Sequence, residues 1–381
     1  MSGRIRFANQ LRGIAALLVA TSHLVGVYWA LPGVVSAVTA TPPHHGALPG
    51  VFWFTSLQWF NLGPFGVSIF FLISGMVVPF SLERHTRRGF LVARVLRIYP
   101  TYAVALALEV AVVLLSSGWW QRPVPFTPAI VAGNLGLVYD LIGQPSIDLV
   151  NWTLSVELKF YVLIGLLAPL VRRGSAVGIV LAGGGLCAAN LLLTHFVPGS
   201  AYALPSTRGH TFSSQSVCLI YMLIGTLFNF HLRGRVGAAG LAAGVAALAG
   251  MFVATWLAGV WRGQFPMVTA TYFYALALFG VLYAVRGRVP ANPLLDAMAA
   301  ISFPFYVLHS LLGYTFLRLA MVQFGAGYYA ALTLSVAGVV ALSALLHRWV
   351  ELPTQRLGRR LGERVGSMPQ AAPPPTVAVG P

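Results

Sequence analysis

The chain has 381 residues, 57% hydrophobic and only 8% charged, with 24 Lys and Arg against 8 Asp and Glu and a formal net charge of +16. A soluble domain is about 25% charged, so this sequence cannot coat a water-facing surface. That argues against a soluble enzyme, a disordered chain and a DNA-binding domain. In so apolar a sequence the positive excess points to anionic lipid headgroups and cytoplasmic loops instead. The expected fold is all-α, a polytopic helical membrane protein.

A helix crossing a bilayer needs roughly 20 mainly apolar residues. On that ruler ten spans are expected, at about 13–31, 55–80, 98–117, 151–171, 175–196, 214–232, 236–260, 266–285, 297–318 and 328–347. The first resembles a signal peptide, since Arg4, Arg6 and Arg12 precede it and Val38-Thr39-Ala40 is a weak cleavage-like string. It also contains His23 and is read as a retained helix. With the N-terminus in the cytoplasm, 19 of the 24 basic residues fall on the inner side. Arg122, Arg208 and Arg262 fall outside, while Lys159 and Arg318 lie within spans. The bias predicts an N-in, C-in topology.

The outer loops at 32–54 and 118–150 are long, rich in Pro, Gly and aromatic residues, and suited to capping an outward-facing cavity. Residues 1–365 read as one integral-membrane domain and 366–381 as a disordered, Pro-rich cytoplasmic tail. Cys187 and Cys218 sit in apolar stretches, which fits buried thiols rather than a disulfide framework. No Cys/His spacing points to a metal, and no permanently bound cofactor is expected.

Ionisable groups inside a bilayer are costly and mark candidate functional positions. Glu109 lies deep in the third span, with no partner nameable from sequence. Arg12 and His23 are eleven residues apart, close to three helical turns and roughly 16 Å along the axis. One helix face would then carry a cation at the cytoplasmic edge and a titratable base near mid-membrane. A topogenic Arg with a structural His fits the same spacing. Arg94 and Arg97, three apart, share a face at the cytoplasmic edge and suit phosphate binding; positive-inside topology alone also accounts for them. Asn151 to Glu157 opens the fourth span with a polar string, followed one turn later by Tyr161. Glu157 is placed to orient a His or bind a hydroxyl, or is a protonated structural Glu; Lys159, two residues on, need not pair with it. His309 sits near the middle of the ninth span, in a catalytic or a structural role.

Together these strings resemble the membrane-bound acyltransferase family 3 of integral-membrane O-acyltransferases, over roughly residues 8–355. The resemblance rests on Leu11-Arg12-Gly13-Ile14-Ala15 with its spacing to His23, Phe70-Phe71-Leu72-Ile73-Ser74-Gly75, and Arg94-x-x-Arg97-Ile98-x-Pro100. It continues through Trp152-Thr153-Leu154-Ser155-Val156-Glu157 with Tyr161, Tyr306-Val307-Leu308-His309, and Glu351-Leu352-Pro353. Lys159-Phe160 departs from the family's acidic or amide residue before an aromatic.

The resemblance implies transfer of an acyl group, most often acetyl, from cytoplasmic acyl-CoA to a hydroxyl of a carbohydrate or glycosylated acceptor. It assigns Arg12, Arg94 and Arg97 to the donor's phosphates, and His23 to general-base or acyl-carrier chemistry with Glu157 and His309 assisting. Trp152, Ser155, Tyr161 and Tyr306 become structural or acceptor-side residues. The acceptor ranked first is a surface or lipid-linked polysaccharide sugar, ahead of a small glycosylated metabolite such as a macrolide, in a bacterial inner membrane. Mid-membrane titratable residues also suit a proton-coupled transporter, but no inverted repeat is evident. A scaffold within a polysaccharide-export assembly is a third reading.

Overall fold

The computed structural model describes residues 3–44, 46–197 and 208–366, with side chains from Ile5 onward. The Pro-rich tail expected from residue 366 lies outside the described residues beyond Gly366, which closes the last helix.

Apolar runs of bilayer length become helices because backbone polar groups in lipid must be satisfied internally. In chain order they are α1 (Gly3–Thr21), continued by a π-turn (Ser22–Val27) and a final turn (Tyr28–Ala30), and α2 (Pro32–Thr39). A two-residue hairpin, β1 (Ser56–Leu57) and β2 (Phe60–Asn61), leads into α3 (Leu62–Arg84) and α4 (Arg87–Trp120). After α5 (Pro128–Leu135) come α6 (Asn151–Leu166), α7 (Ala168–Arg173), α8 (Ala176–Phe196), α9 (Arg208–Leu232) and α10 (Ala238–Ala258). The chain continues through α11 (Met267–Ala284), α12 (Pro293–Leu308), α13 (Leu311–Arg318), α14 (Tyr328–Leu346) and α15 (Leu352–Gly366).

Eight stretches among the described residues are long and apolar enough to cross a membrane, and α12 with α13 forms a ninth that is bent by 74°. The protein is therefore an all-α polytopic membrane protein. The remaining expected span, 151–171, is interrupted: α6 runs for 16 residues and stops at Leu167, after which Pro169 begins a new short helix.

The basic segments expected on one side gather at one end. Arg6 donates to the Val289 carbonyl, Arg172 to the His85 carbonyl, and Arg233 and Arg235 pair with Glu83. There too the basic helix α15 lies across the start of α4, where the Thr86 amide donates to the Gly366 carbonyl at 2.8 Å. The opposite end is tied by Arg318 to the Pro42 carbonyl and by Thr211 to the Asp140 carbonyl.

The centre of the bundle is α9, buried along nearly its whole length. It crosses α3 where Gly75 faces Gly225, so the two backbones touch. Thr226 donates to the Gly75 carbonyl at 3.2 Å and Asn229 to the Met76 carbonyl at 2.8 Å. Small residues let helices meet closely in lipid, and polar side chains then bond across the crossing. Along the other side, α1 docks on α12 through Asn9 to Asp296 at 2.9 Å and Arg12 to the Ala299 carbonyl at 2.8 Å.

A Cβ at Gly225 would overlap the Leu72 carbonyl oxygen, whereas one at Gly118 meets nothing within 4 Å. Gly225→Val is expected to cost about 1–3 kcal/mol or more and to abolish monodisperse protein in size-exclusion chromatography. Gly118→Ala should elute like wild type; equal behaviour of the two variants would remove the close crossing as a determinant of the fold.

Candidate functional site

Two cavities meet at the middle of the bundle. The first, of about 290 Å³, opens among Arg12, Arg94, Arg97, Ser74, Glu157 and Tyr161, with His347, Glu351 and Gln355 from the C-terminal helices. Arg94 and Arg97 share a face of α4, as their spacing predicts. The Arg94 guanidinium lies between the rings of Phe90 and Tyr161, 5.7 and 5.4 Å from their centroids, a cation–π arrangement that holds the charge without neutralising it. Glu157 Oε1 accepts from the Tyr161 hydroxyl at 2.6 Å and from Ser74 Oγ at 3.2 Å. A π-turn over His347–Glu351 brings two more polar groups to this wall. Glu351 accepts from His347 Nδ1 at 2.6 Å and from Gln355 Nε2 at 2.8 Å. Among the described residues, no ion pair joins Arg12, Arg94 or Arg97 to a carboxylate. Three guanidiniums thus face a cavity with their charge uncommitted.

The second cavity, of about 300 Å³, is lined by His23, Asn61, Trp152, Trp256, Trp261, Gln264 and Tyr272. Val67 and Tyr306 line both cavities and form the wall between them. The Tyr306 hydroxyl is held by Thr153 Oγ1 at 2.8 Å, and its ring packs edge-on against Phe70. Of the two loops expected to cap a cavity, 118–150 reaches this one through Val150, whereas no described residue of 32–54 lines it; Asn61 comes from the β1–β2 hairpin, in a segment expected as a span. The link between α10 and α11 adds Trp261 and Gln264, which were not anticipated.

His23 sits in the π-turn at the end of α1, with its Nδ1 2.9 Å from the Tyr314 hydroxyl. The His309 ring stands edge-on to it, 5.1 Å between centroids. His309 follows the last residue of α12 at the sharp bend, and its Nδ1 is 2.7 Å from the Tyr306 carbonyl. A carbonyl only accepts, so Nδ1 carries the hydrogen and Nε2 of the neutral ring holds a lone pair. That Nε2 is buried with no partner among the described residues.

Arg12 and His23, expected on one helix face, line successive cavities along it, Arg12 the first, and Val19 two turns later with His23 the second. His309 joins His23, whereas Glu157 does not reach either imidazole and belongs to the arginine cavity. Tyr161 also stands on that side, Trp152 lines the aromatic cavity, and Tyr306 divides the two. Ser155 lines neither. It donates to Asp140 Oδ2 at 2.7 Å, in a cluster where Lys159 Nζ reaches the same oxygen at 2.6 Å and Gln215 also donates to it. Lys159 therefore answers Asp140 in the preceding loop, not Glu157. Tyr314, His347 and Gln355 were missed. Glu351 stood in a quoted signature without a role, and His347 one turn earlier was the available signal.

The family-wide profile of the acyltransferase domain matches residues 5–348. The chain belongs to the acyltransferase 3 family, so it is a membrane acyltransferase and not a transporter. Relatives include Nodulation protein 10 of Rhizobium leguminosarum bv. viciae, 27% identical over 320 residues covering 78% of this chain and 84% of that protein. Acyltransferase MdmB of Streptomyces mycarofaciens is 26% identical over 357 residues, covering 79% and 83%. No solved structure matches this acyltransferase.

Burial works against ionisation of Asp140, but hydrogen bonds from Lys159, Ser155 and Gln215 outweigh it and hold the carboxyl below the usual carboxylate range. A depressed native pKa contributes stability at neutral pH that is lost as pH falls through it. Asp140→Asn should leave Lys159 without its counter-charge and cost about 1–3 kcal/mol, read as a lower melting temperature in detergent at pH 7. The gap to wild type should narrow below about pH 4. An unchanged melting temperature at pH 7 would mean the cluster does not stabilise the fold.

Proposed function

We propose that the protein is an O-acyltransferase, most simply an O-acetyltransferase, that moves the acyl group of acyl-CoA to a hydroxyl of a sugar. The observation that carries this is the pair of cavities, one cationic and one aromatic, sharing a thin wall beside a paired histidine. The arginine end carries most of the basic residues and faces the cytoplasm under the positive-inside rule, in a bacterial inner membrane. Acyl-CoA is a polyanion on a long thin arm. Arg12, Arg94 and Arg97 would hold its phosphates, and the pantetheine arm would carry the thioester to the wall at Val67 and Tyr306.

The aromatic cavity takes the acceptor. Three tryptophans offer flat apolar faces to a sugar ring, while Asn61 and Gln264 offer polar groups to its hydroxyls. Its volume lies at the small end of the roughly 300–1,000 Å³ usual for ligand sites. One sugar of a surface or lipid-linked polysaccharide fits this better than a whole macrolide.

His23 Nε2 takes the proton of the acceptor hydroxyl as its oxygen attacks the thioester carbonyl. The C–S bond then breaks, and the CoA thiolate leaves with the proton from His23. His309 stands edge-on to His23 and limits its orientation. In the alternative covalent route His23 itself carries the acyl group between donor and acceptor.

In detergent, wild-type protein should release CoA from acetyl-CoA in the presence of acceptor, and His23→Ala should lower that rate by about 10²–10⁴-fold with folding retained. Full activity of His23→Ala would defeat the assignment. Arg97→Ala should chiefly raise the Michaelis constant for the CoA substrate, by about tenfold for a lost charged phosphate contact; an unchanged value removes Arg97 from the donor site. Mass spectrometry of surface glycans and secreted metabolites, with and without the gene, identifies acyl group and acceptor together.

A further inference from the structure

Behind the His23–Tyr314 contact lies a set of buried groups that acyl transfer, as derived above, does not use. Asp148 ends the loop before α6 and is fully buried, as is Ser310 at the bend between α12 and α13, while Glu109 on α4 is 1% exposed. Asn134 fixes the loop that carries Asp148, donating to the Pro145 carbonyl at 2.9 Å and accepting from the Ile147 amide at 3.0 Å. Asp148 Oδ1 accepts from the Leu149 amide at 2.6 Å. Its Oδ2, the Ser310 hydroxyl and both Glu109 oxygens are buried without a partner in ordinary hydrogen-bond geometry among the described residues.

These atoms are neighbours. The Asp148 carboxyl faces both Ser310 and Glu109, and the Ser310 hydroxyl also faces Tyr314. The other titratable groups that feel Asp148 are the phenols of Tyr102, Tyr139 and Tyr306. A line of exchangeable protons thus runs from Glu109 through Asp148, Ser310 and Tyr314 to His23.

We propose that Asp148, acting through Ser310 and Tyr314, sets the tautomer of His23 and is a positioning residue for the base. Ionised, Asp148 accepts from the Ser310 hydroxyl, Ser310 accepts from Tyr314, and Tyr314 accepts the hydrogen on His23 Nδ1. His23 Nε2 is then a lone pair. Protonated, Asp148 donates into the same line and every bond in it reverses. The Tyr314 hydroxyl then donates to Nδ1, the ring hydrogen sits on Nε2, and no base remains for the acceptor. Each proton in the line moves one place, from His23 Nδ1 to Tyr314, from Tyr314 to Ser310 and from Ser310 to Asp148, while Nε2 takes one from solvent in the aromatic cavity, so the line gains one proton in all and His23 stays neutral. Burial raises the Asp148 carboxyl to about 6, so the reversal falls within the pH range of a living cell. Glu109 faces it as well, and two carboxyl groups in a dry site compete for one proton; its hydrogen bond to Asp148 favours the ionised Asp148 and offsets part of the effect of burial.

This rests on His23 as the base, and the test separates the two. Wild-type activity should fall on an acid limb centred near pH 6. Asp148→Asn and Tyr314→Phe should each lower kcat about tenfold or more, within the 10²–10⁴ that a general base contributes. The CoA Michaelis constant should stay within about twofold, and the acid limb should move to lower pH. The double variant should be no slower than the slower single one, since both cut the same line. If Asp148→Asn does not fold, Ser310→Ala and Tyr314→Phe carry the same two readouts. A flat wild-type profile from pH 5 to 7, an unmoved limb in the folded variants, or multiplying effects would each overturn the proposal. His23→Gln decides the base itself. If it is inactive while these variants behave as wild type, only the line through Asp148 fails; if it is active, the assignment of the base fails.

Discussion

A charge held between helices in a bilayer must be partnered by protein or by substrate, because the surrounding lipid offers nothing. This constraint organises the whole chain. Lys159 has Asp140, Glu83 has two arginines, and Glu351 has His347 and Gln355. Arg12 is supported by a carbonyl and Arg94 by aromatic faces, and with Arg97 they line a cavity that carboxylates also line; among the described residues none of the three makes an ion pair. A site built this way lacks an anion, which on the proposed reading a phosphate-rich donor supplies. Arg94 illustrates the compromise. Its rings stabilise the guanidinium by about 0.5–2 kcal/mol while no carboxylate among the described residues pairs with it.

The candidate histidines and Glu351 stand where helical regularity breaks. His23 lies in one π-turn, His347 and Glu351 in another, and His309 at the 74° bend of the ninth span. An α-helix presents a fixed stripe of side chains, so a residue meant to face a cavity off that stripe needs a local change of register. A bend also frees backbone groups: the Tyr306 carbonyl is taken by His309 Nδ1. The cost of these breaks is met by tight packing elsewhere. The crossing at Gly75 and Gly225 is the clearest case, and it fixes α3, whose Val67, Phe70 and Ser74 line the donor side.

Much of this was legible in the sequence because hydropathy and Arg placement are local signals. Nine of the ten expected spans and the one-sided gathering of basic segments were readable from composition, and the strings pointed to His23, His309 and the three arginines as candidates. The sequence did not reveal what depends on pairing between distant helices. Nothing local tells that Lys159 answers Asp140, or that Tyr314 reaches His23 across 291 positions of chain. That Arg12 and His23 open on two cavities was not readable either, because spacing along a helix gives depth but not where a wall such as Val67 and Tyr306 crosses it. Ser155 was drawn into the site by its place in a motif, yet helical geometry turned it toward Asp140.

The shared wall limits what chemistry the site performs. On the proposed reading donor and acceptor enter from opposite ends, so only the reacting carbonyl and hydroxyl need meet where Val67 and Tyr306 stand. Tyr306 is held at both ends, its hydroxyl by Thr153 and its carbonyl by His309, so a substrate does not easily push it aside. A bulky acyl chain would have to displace that ring, whereas a two-carbon group passes beside it. Acetyl selectivity on the proposed reading thus follows from the same bonds that orient His309. Loosening Thr153 would relax acyl length and histidine geometry together, because one side chain carries both.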